Sequence, residues 1–512
     1  MVSIDKKHKI LLITVQKDLN TIGLKYIHYS LLQKGHQSYL LHLPYLDFTK
    51  DHVLGSLRDF VTQIDPIFIG LSLMSIEFRD SCRISQYLKE YFPSIPIVWG
   101  GIHPTIEPES CFPFADYICI GEGERTILDL ANALICGQHI EKVLNICYRE
   151  NGQLIRNALY PQIENLDDLP LLDHIPQNSY LQMSNGDIIA IDKDVYRKEA
   201  RYQGQMYELM SSRGCAFSCT YCCNNFLSKL YTSKKIRRRS IEHILSELRH
   251  AVTEYPEITS IHFQDDSFLA VNEDYLVDFC LAYKTHINRP FIIHTIPTYV
   301  KRNKLRILKE AGLQWLSMGL QSGSDNICRN IYKRYSFRQD FLNAAELVNE
   351  FHIAAKYDVI LDNPFESKEE QLETVETLML TPKPYLLEFF SLTFYPGTEL
   401  YEKAMKECPK RVEDSRKKDF LDYKQNTLNR LTILAIYLPR RVMKALLKLY
   451  KANDQSLMFR MFLIFSSFIC FIYKPIMLFK VLIISSGHSF KKTLSYIVMY
   501  SKLGFLKYIK KH

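Results

Sequence analysis

Four of the chain's 13 cysteines fall in nine consecutive positions of the stretch SSRGCAFSCTYCCNNF, residues 211–226. Cys215, Cys219 and Cys222 form a C-x-x-x-C-x-x-C pattern. Thiolates are soft ligands suited to zinc or to iron–sulfur clusters. Structural zinc takes a closed set of four ligands, usually in two pairs, and no second pair stands at matching spacing in this sequence. Three thiolates suit a 4Fe-4S cluster that leaves one iron open to a substrate or cofactor. Cys223 directly follows Cys222, so its side chain points elsewhere and it is read as a bystander. A zinc knuckle, or three buried thiols that bind nothing, are the competing readings.

The elements around this loop must hold it at the active end of a fold. From Met206 to about Glu407, strand-like runs (YELMSSRG, ITSIHFQDD, FIIHTIP, WLSMGLQSG, AAKYDVILDNP, EFFSLTFYPGT) alternate with helical patterns such as IEHILSELRHAVTEY and KEEQLETVETLML. Six βα units in about two hundred residues predict a parallel sheet curled as a barrel or part of one, with its active face at the carboxyl ends of the strands. The cysteines leave the first of these strands.

An earlier α/β region, residues 1–150, has apolar runs spaced by helical segments: KILLITV, SYLLHLP, IFIGLSL, IPIVWGG and DYICIGEGE. Continuous apolar strands separated by helices predict a five-stranded, doubly wound sheet covered on both faces. Ligands bind such sheets beyond the carboxyl ends of the strands. There the sequence places DLNTIG, then Ser72 and Ser75, then GGIHPT, then GEGE. Their glycines let a backbone approach a ligand or turn with positive φ, although turns alone would also explain them. Residues 151–205, rich in proline and without a sustained period, read as a linker with a small hairpin.

A chain of 512 residues predicts two or three domains, and a 47% hydrophobic, 23% charged composition is that of a folded globular protein. The first residues carry basic side chains before a short β-branched run without a small-residue cleavage site, which reads as a first strand rather than an export signal. A cytoplasmic location follows as the expectation, and there thiols stay reduced and a cysteine cluster suggests metal. The net charge of +8 is uneven: after Asp422 the only acid is Asp454, against 16 Lys and Arg. A uniformly basic nucleic-acid binder would not show that asymmetry, so nucleic acid is not expected as a partner.

The stretch CAFSCTYC, with Tyr221 before its last cysteine, resembles the signature of the radical S-adenosylmethionine (SAM) superfamily. The resemblance implies that Cys215, Cys219 and Cys222 hold a 4Fe-4S cluster and that its open iron binds the amino and carboxylate groups of SAM. An electron from the cluster would then cleave SAM to a 5′-deoxyadenosyl radical. Asp265 and Asp266, in FQDDSF, stand where the family meets the methionine amino group; a helix N-cap is the alternative for either. GLQSGSD, with Gly319, Gln321 and Ser322, resembles the family's GxESGS, except that Gln321 replaces glutamate and an amide hydrogen bond replaces an ion pair. VILDNPFES resembles the fifth-strand pattern, whose Ile360 is implied to pack near adenine, with Asp362 where glycine is common. FYPGTEL, with Pro396, ends the sixth strand much as the family does.

A doubly wound domain with GGIHPT and GEGE ahead of such a barrel resembles the cobalamin-binding subclass. Flavodoxin-like cobalamin domains that ligate cobalt from below carry DxHxxG in the first loop. Here that loop reads DLNTIG, with Asn20 in place of histidine and Gly23 retained. Carboxamide is a poor ligand, so cobalamin is expected without a histidine below its cobalt. The resemblance places Ser72, Gly100, Gly101, His103, Pro104, Thr105, Gly121, Glu122 and Gly123 at the cobalamin site as well. His103 would line the pocket of the nucleotide tail; the alternative is a loop histidine facing solvent.

The fold class expected is α/β: a flavodoxin-like cobalamin-binding domain at 1–150, a linker at 151–205, a partial (β/α)6 radical SAM barrel at 206–407, and a basic, mainly helical region at 408–512. The function implied is a radical SAM enzyme with 4Fe-4S, SAM and cobalamin as cofactors, methylating an unactivated carbon of a small or lipid-like substrate. Its electron would come from a reductant such as flavodoxin or ferredoxin. Enzymes of the same architecture also close rings, oxidise or rearrange, and no residue is marked as a catalytic acid or base. A non-catalytic scaffold is the other class, against which the intact cysteines argue. In the tail, the longest uncharged run, Met461 to Tyr473, is short for a membrane span, and Lys474 with Pro475 interrupts it. Basic residues among Phe, Leu and Ile predict either helices lying peripherally in a membrane interface or a helical cap on the barrel.

Overall fold

The run Lys9–Thr14, KILLIT, shows no polar alternation, and every residue after the first is buried; strand β1 is therefore covered on both faces. A computed structural model of the chain describes residues 8–487. It divides into two units. One comprises the chain to Leu209 with Phe226–Ile258 and Tyr395–Gly397, and the other Met210–Asn225, Thr259–Phe394 and the chain from Thr398.

In the first unit, β1 pairs in parallel with β2 (Gln37–His42) and β3 (Ile69–Ser72), and β3 continues through β4 (Ile97–Gly100) to β5 (Tyr117–Cys119). Alternate residues of β1 point to opposite layers. Leu11 and Ile13 pack with Leu57, Phe60, Ile84 and Leu88 of helices Asp51–Ile64 and Phe78–Tyr91. Ile10 and Leu12 pack with Leu24 and Leu31 of helix Ile22–Gln33 and with Ile127 and Leu130 of helix Glu124–Cys136. This is the doubly wound core the apolar runs predict. The sheet is larger than five strands. β6 (Ile146–Glu150) and β7 (Gln153–Arg156) extend one edge antiparallel, while β8 (Ser179–Gln182) pairs parallel with β2 and forms a hairpin with β9 (Ile188–Ala190). The segment 151–205 is thus not a free connector: its short strands cover both edges of the sheet. Such strands lack the length or period that would mark them in sequence, and pairing partners supply what propensity does not. β10 (Met206–Leu209) closes this stretch.

Two two-residue strands come next in the chain, β11 (Ser212–Arg213) in the second unit and β12 (Arg237–Arg238) in the first. The second unit is built on β13 (Ser260–Phe263), β14 (Phe291–Thr295), β15 (Leu313–Gln321), β16 (Ala354–Leu361) and β17 (Leu386–Ser391), each parallel to the next. One face carries Phe263, Phe291 and Tyr357, which meet helix residues Phe279, Tyr283 and Phe341. The other face is layered. At its amino-terminal floor Trp315 and Ala354 pack with Ile292 and Leu386. Above the floor it turns polar, with His294 beside Ser317 beside Lys356, then Gly319 beside Asp358 beside Glu388.

From 408 the chain is helical: Pro409–Arg416, Thr427–Tyr437, Arg440–Ala452 and Leu457–Ser485. Val481 and Leu482, near the end of the last helix, are buried against the Trp315 and Ala354 floor. The side chain of Gln314 donates to the Ser485 carbonyl at 2.5 Å. These last turns cap the sheet. Earlier in the same helix Met461, Ile464, Phe465, Phe468 and Phe471 are exposed. The basic tail from 488 onward, for which helices in a membrane interface or a cap are the expectations, lies outside the described residues.

Candidate active site

Asp265 explains how the cysteine loop is held. Fully buried after β13, its carboxylate accepts from the Ser211 amide (3.3 Å), the Ser211 hydroxyl (2.8 Å) and the Ser212 hydroxyl, all just ahead of Cys215. It is not a helix N-cap; Asn272 caps the helix that follows. At the far side, Thr220 donates its amide to the Tyr332 carbonyl (2.9 Å) and its hydroxyl to the Ile331 carbonyl (2.6 Å). Between these anchors Cys219 is 5% exposed and Cys215 and Cys222 are half-buried. Burial pushes the Cys215 thiol up to about 12. Burial also raises Cys219, which the Arg334 guanidinium opposes. Cys222 and Cys223 share a hydrogen bond that raises the first and lowers the second. Among the described residues no three His, Cys, Asp or Glu side chains are placed to hold a single ion. A 4Fe-4S cluster would be held by Cys215, Cys219 and Cys222 with one thiolate to an iron, and so would not need them to converge on a single ion. The loop fits that group with Cys215, Cys219 and Cys222 as spaced soft donors, while the Cys223 thiol, expected to point elsewhere, instead bonds to that of Cys222.

Of the other predicted SAM residues of this unit, Asp266 and Ile360 are linked to the same loop, through Asn224 and Tyr221. Asp266 is exposed; desolvation nonetheless pushes its carboxyl up to about 6, while Asn224 Nδ2 donates to it at 2.8 Å. Tyr221 meets Tyr332 edge-on, with ring centroids 5.0 Å apart, in an apolar group that includes Ile360, Ile327, Leu392 and Phe394. Gln321 adopts φ 66° and folds its amide against Gly319, leaving Oε1 buried without a partner. Ser322 spends its hydroxyl on Glu366 (2.8 Å), whose carboxyl burial pushes up to about 7. Pro396 groups with the first unit. Asp362 stands where the family's glycine is common and takes a left-handed backbone, φ 62°. Its carboxylate accepts from Ser391 Oγ (2.8 Å), the Lys424 amide (2.8 Å) and Asn429 Nδ2 (2.9 Å), which fastens the start of the tail to β16.

Several residues of this site were missed in the sequence. Arg334 is buried; its Nη1 points at Cys219 Sγ (3.9 Å), its Nη2 donates to the Gly319 carbonyl (3.1 Å), and its Nε has no partner. On the polar sheet face, His262 and His294 share an Nε2 to Nε2 hydrogen bond of 2.8 Å, and Lys356 pairs with Glu388 at 2.6 Å. Asp358 lies beside Gly319 with Oδ1 buried and unpartnered; burial pushes its carboxyl up to about 6, opposed by Lys356. Period-2 alternation in AAKYDVIL would have flagged Lys356 and Asp358 as sharing one face.

In the first unit, Asn20 is held at both ends: Nδ2 donates to the Glu208 carboxylate and Oδ1 accepts from Lys25 Nζ at 2.9 Å. Lys25 also donates to the His174 carbonyl (3.0 Å), and burial pulls its pKa down to about 8. A carboxamide so fixed is no metal ligand. His103 is 1% exposed rather than facing solvent, bonded to Ser75 Oγ (3.0 Å) and Ser110 Oγ (3.2 Å) beside Pro104. Thr105 donates to the Gly101 carbonyl (2.7 Å) and accepts from the Gly121 amide (2.9 Å). A Cβ on Gly121 would strike the Tyr231 phenol, and one on Gly101 would come within 2.6 Å of the Leu73 carbonyl. Glu122 accepts from Arg237 (2.7 Å), and a Cβ on Gly123 would press on Ile27. Ser72 and Gly100 end neighbouring strands half-buried. Beside Gly23 the space is open. These loops fit cobalamin gripped through its periphery, with no ligand offered by Asn20. His42 stands apart: it is fully buried, and both ring nitrogens lack partners.

Residues 209–378 match the radical SAM superfamily and residues 8–131 match the B12 binding domain. An uncharacterised methyltransferase of Pyrococcus horikoshii is 26% identical over 75% of the chain and 78% of its own length. An anaerobic magnesium-protoporphyrin IX monomethyl ester cyclase of Synechocystis is 24% identical over 62% of the chain, which spans 60% of that enzyme. Among solved structures, the radical SAM methyltransferase TsrM of Kitasatospora setae superposes with a TM-score of 0.62 at 15% identity, covering 78% of this chain and 76% of that one. The cobalamin-dependent SAM radical enzyme OxsB reaches 0.64 at 14% identity, over 98% and 76%. At these identities the structural likeness bears on the fold.

Proposed function

We propose, from the premise that the chain belongs to the cobalamin-binding radical SAM enzymes, a B12-binding domain followed by a radical SAM domain, that it transfers a methyl group to an unactivated carbon. Its cofactors are a 4Fe-4S cluster, SAM and cobalamin; together, when bound, they supply a hydrogen-abstracting adenosyl radical and a transferable methyl group. The chain's own residues hold and orient. Cys215, Cys219 and Cys222 are the cluster ligands, on a loop that Asp265 fixes. Asp266 and Gln321 offer a carboxylate and an amide to SAM, and Tyr221 and Ile360 provide the apolar wall for its base. Asp358, His262 and His294 face the substrate on the polar side of the sheet.

The observation that carries this reading is the three-thiol loop with no fourth ligand, in a chain that also carries a B12-binding domain. Two experiments test it. Anaerobically reconstituted protein should release 5′-deoxyadenosine from SAM; a loaded cluster that never does so would favour a scaffold. A metabolite and lipid comparison of a deletion strain with its parent should show a compound that loses one methyl group in the deletion. A compound that instead loses a ring would favour cyclisation, which the likeness to the protoporphyrin ester cyclase makes the second reading.

The substrate is a small or lipid-like molecule, and the electron donor a flavodoxin or ferredoxin. The exposed Phe465, Phe468 and Phe471 support peripheral residence on the cytoplasmic face of a membrane, where flanking basic residues are each worth about 1 kcal/mol near anionic lipid. The 29-residue helix Leu457–Ser485 is long and apolar enough to span a bilayer by length and composition, but its last turns are committed to the sheet. Replacing these three phenylalanines by serine should abolish sedimentation with anionic vesicles and leave the cluster intact. Ending the chain near Asp422 should instead expose the Trp315 floor and cause aggregation.

A further inference from the structure

We propose that Arg334 sets the reduction potential of the cluster by holding a buried positive charge against one of its three thiolates. The proposal rests on the cysteine assignment above. Arg334 is 7% exposed, and its guanidinium is fixed on two sides, by the Gly319 carbonyl at 3.1 Å and by Cys219 Sγ at 3.9 Å. It also lies 5.8 Å from the ring of Phe217, a residue of the cysteine loop itself. No carboxylate forms an ion pair with it among the described residues. Its neighbour Lys333 is spent on Glu399 at 2.6 Å, half-exposed. One cation of the pair is therefore neutralised at the surface, and the other faces the cluster.

Reduction adds one electron, and so one negative charge, to the cluster, with no bond made or broken. A fixed cation and an N–H directed at a ligand sulfur both stabilise the reduced form more than the oxidised form, and burial keeps water from screening them. Arg334 should therefore make the cluster easier to reduce by a low-potential one-electron donor of the flavodoxin or ferredoxin class. It acts through Cys219 and is a positioning and tuning residue.

The test is an EPR-monitored redox titration of full-length, anaerobically reconstituted protein, with iron and sulfide assayed and with SAM and cobalamin withheld. Arg334→Gln and Arg334→Met should show at least a tenfold fall in the reduced-to-oxidised ratio at the wild-type midpoint, a shift of about 59 mV to more negative potential for one electron. Arg334→Lys, which keeps the charge, and Lys333→Met should titrate with wild type. Glutamine and lysine variants that coincide at equal iron content would overturn the proposal. So would loss of iron from every Arg334 variant, lysine included, because that would make the residue a structural prop. If methionine alone loses the cluster, the separation of lysine from glutamine decides. Failure of the underlying assignment looks different: wild-type protein would itself give no iron–sulfur signal.

Discussion

Both sheets present loops at the carboxyl ends of parallel strands, yet the two sets of loops are finished to different degrees. In the first unit three of the predicted ligand residues are satisfied from within: Asn20 by Lys25 and Glu208, His103 by two serines, Thr105 by Gly101 and Gly121. In the second, Gln321 Oε1, Arg334 Nε and Asp358 Oδ1 are buried with no partner. An unsatisfied buried group costs about 1–3 kcal/mol, so three of them in one neighbourhood persist where ligands complete them. The contrast lies between these two sets of predicted residues and not between the sheets as wholes, because the first unit also buries Thr21 Oγ1 in the DLNTIG loop and both His42 ring nitrogens at the end of β2 without partners.

The sharpest way to break this contrast is at the thiols. Alanine at Cys215, Cys219 or Cys222 should remove the visible iron–sulfur absorbance and all 5′-deoxyadenosine formation, while Cys223→Ala keeps both. Loss of the cluster in the Cys223 variant alone would reassign the ligand. Next in size is Asp265→Ala, which strands three donors and should cost about 3 kcal/mol in denaturant unfolding and lower iron content; Asp265→Asn should recover part of each. A variant as stable and as iron-rich as wild type would show that the loop does not depend on this carboxylate.

A smaller effect concerns pH. Because the Asp266 carboxyl is raised to about 6, it is charged above that pH and neutral below it. Binding of the SAM ammonium should therefore weaken severalfold as pH falls through about 6, and Asp266→Asn should flatten the profile. A wild-type profile already flat between pH 5 and 8 would remove Asp266 from the site. The smallest change is expected in the first unit. Bound cobalamin should show no protein nitrogen on cobalt, and its spectrum should be the same in Asn20→Ala and His42→Ala. A nitrogen signal that vanishes with His42 would show that this unpartnered ring, not Asn20, had taken the ligand's place.

The sequence by itself determined the cofactor loop and the two layered sheets. Ligand spacing in CAFSCTYC is local, and a strand buried on both faces must be continuously apolar, so both features are written in consecutive residues. Tertiary structure alone decided three other matters. Arg334 reaches Cys219 across 115 positions of chain, and nothing in IYKRYS distinguishes it from Lys333, which turns to Glu399. The segment 151–205 supplies edge strands because partners accept them: β7 folds back on neighbouring β6, whereas β8 lies beside β2, with Ser179 opposite Leu40, a long-range pairing that no local period reveals. And one apolar helix, Leu457–Ser485, both seats Val481 and Leu482 on the barrel floor and exposes Phe465 and Phe468, because hydrophobicity fixes what a helix avoids while the position of a neighbouring surface fixes which of its faces is buried.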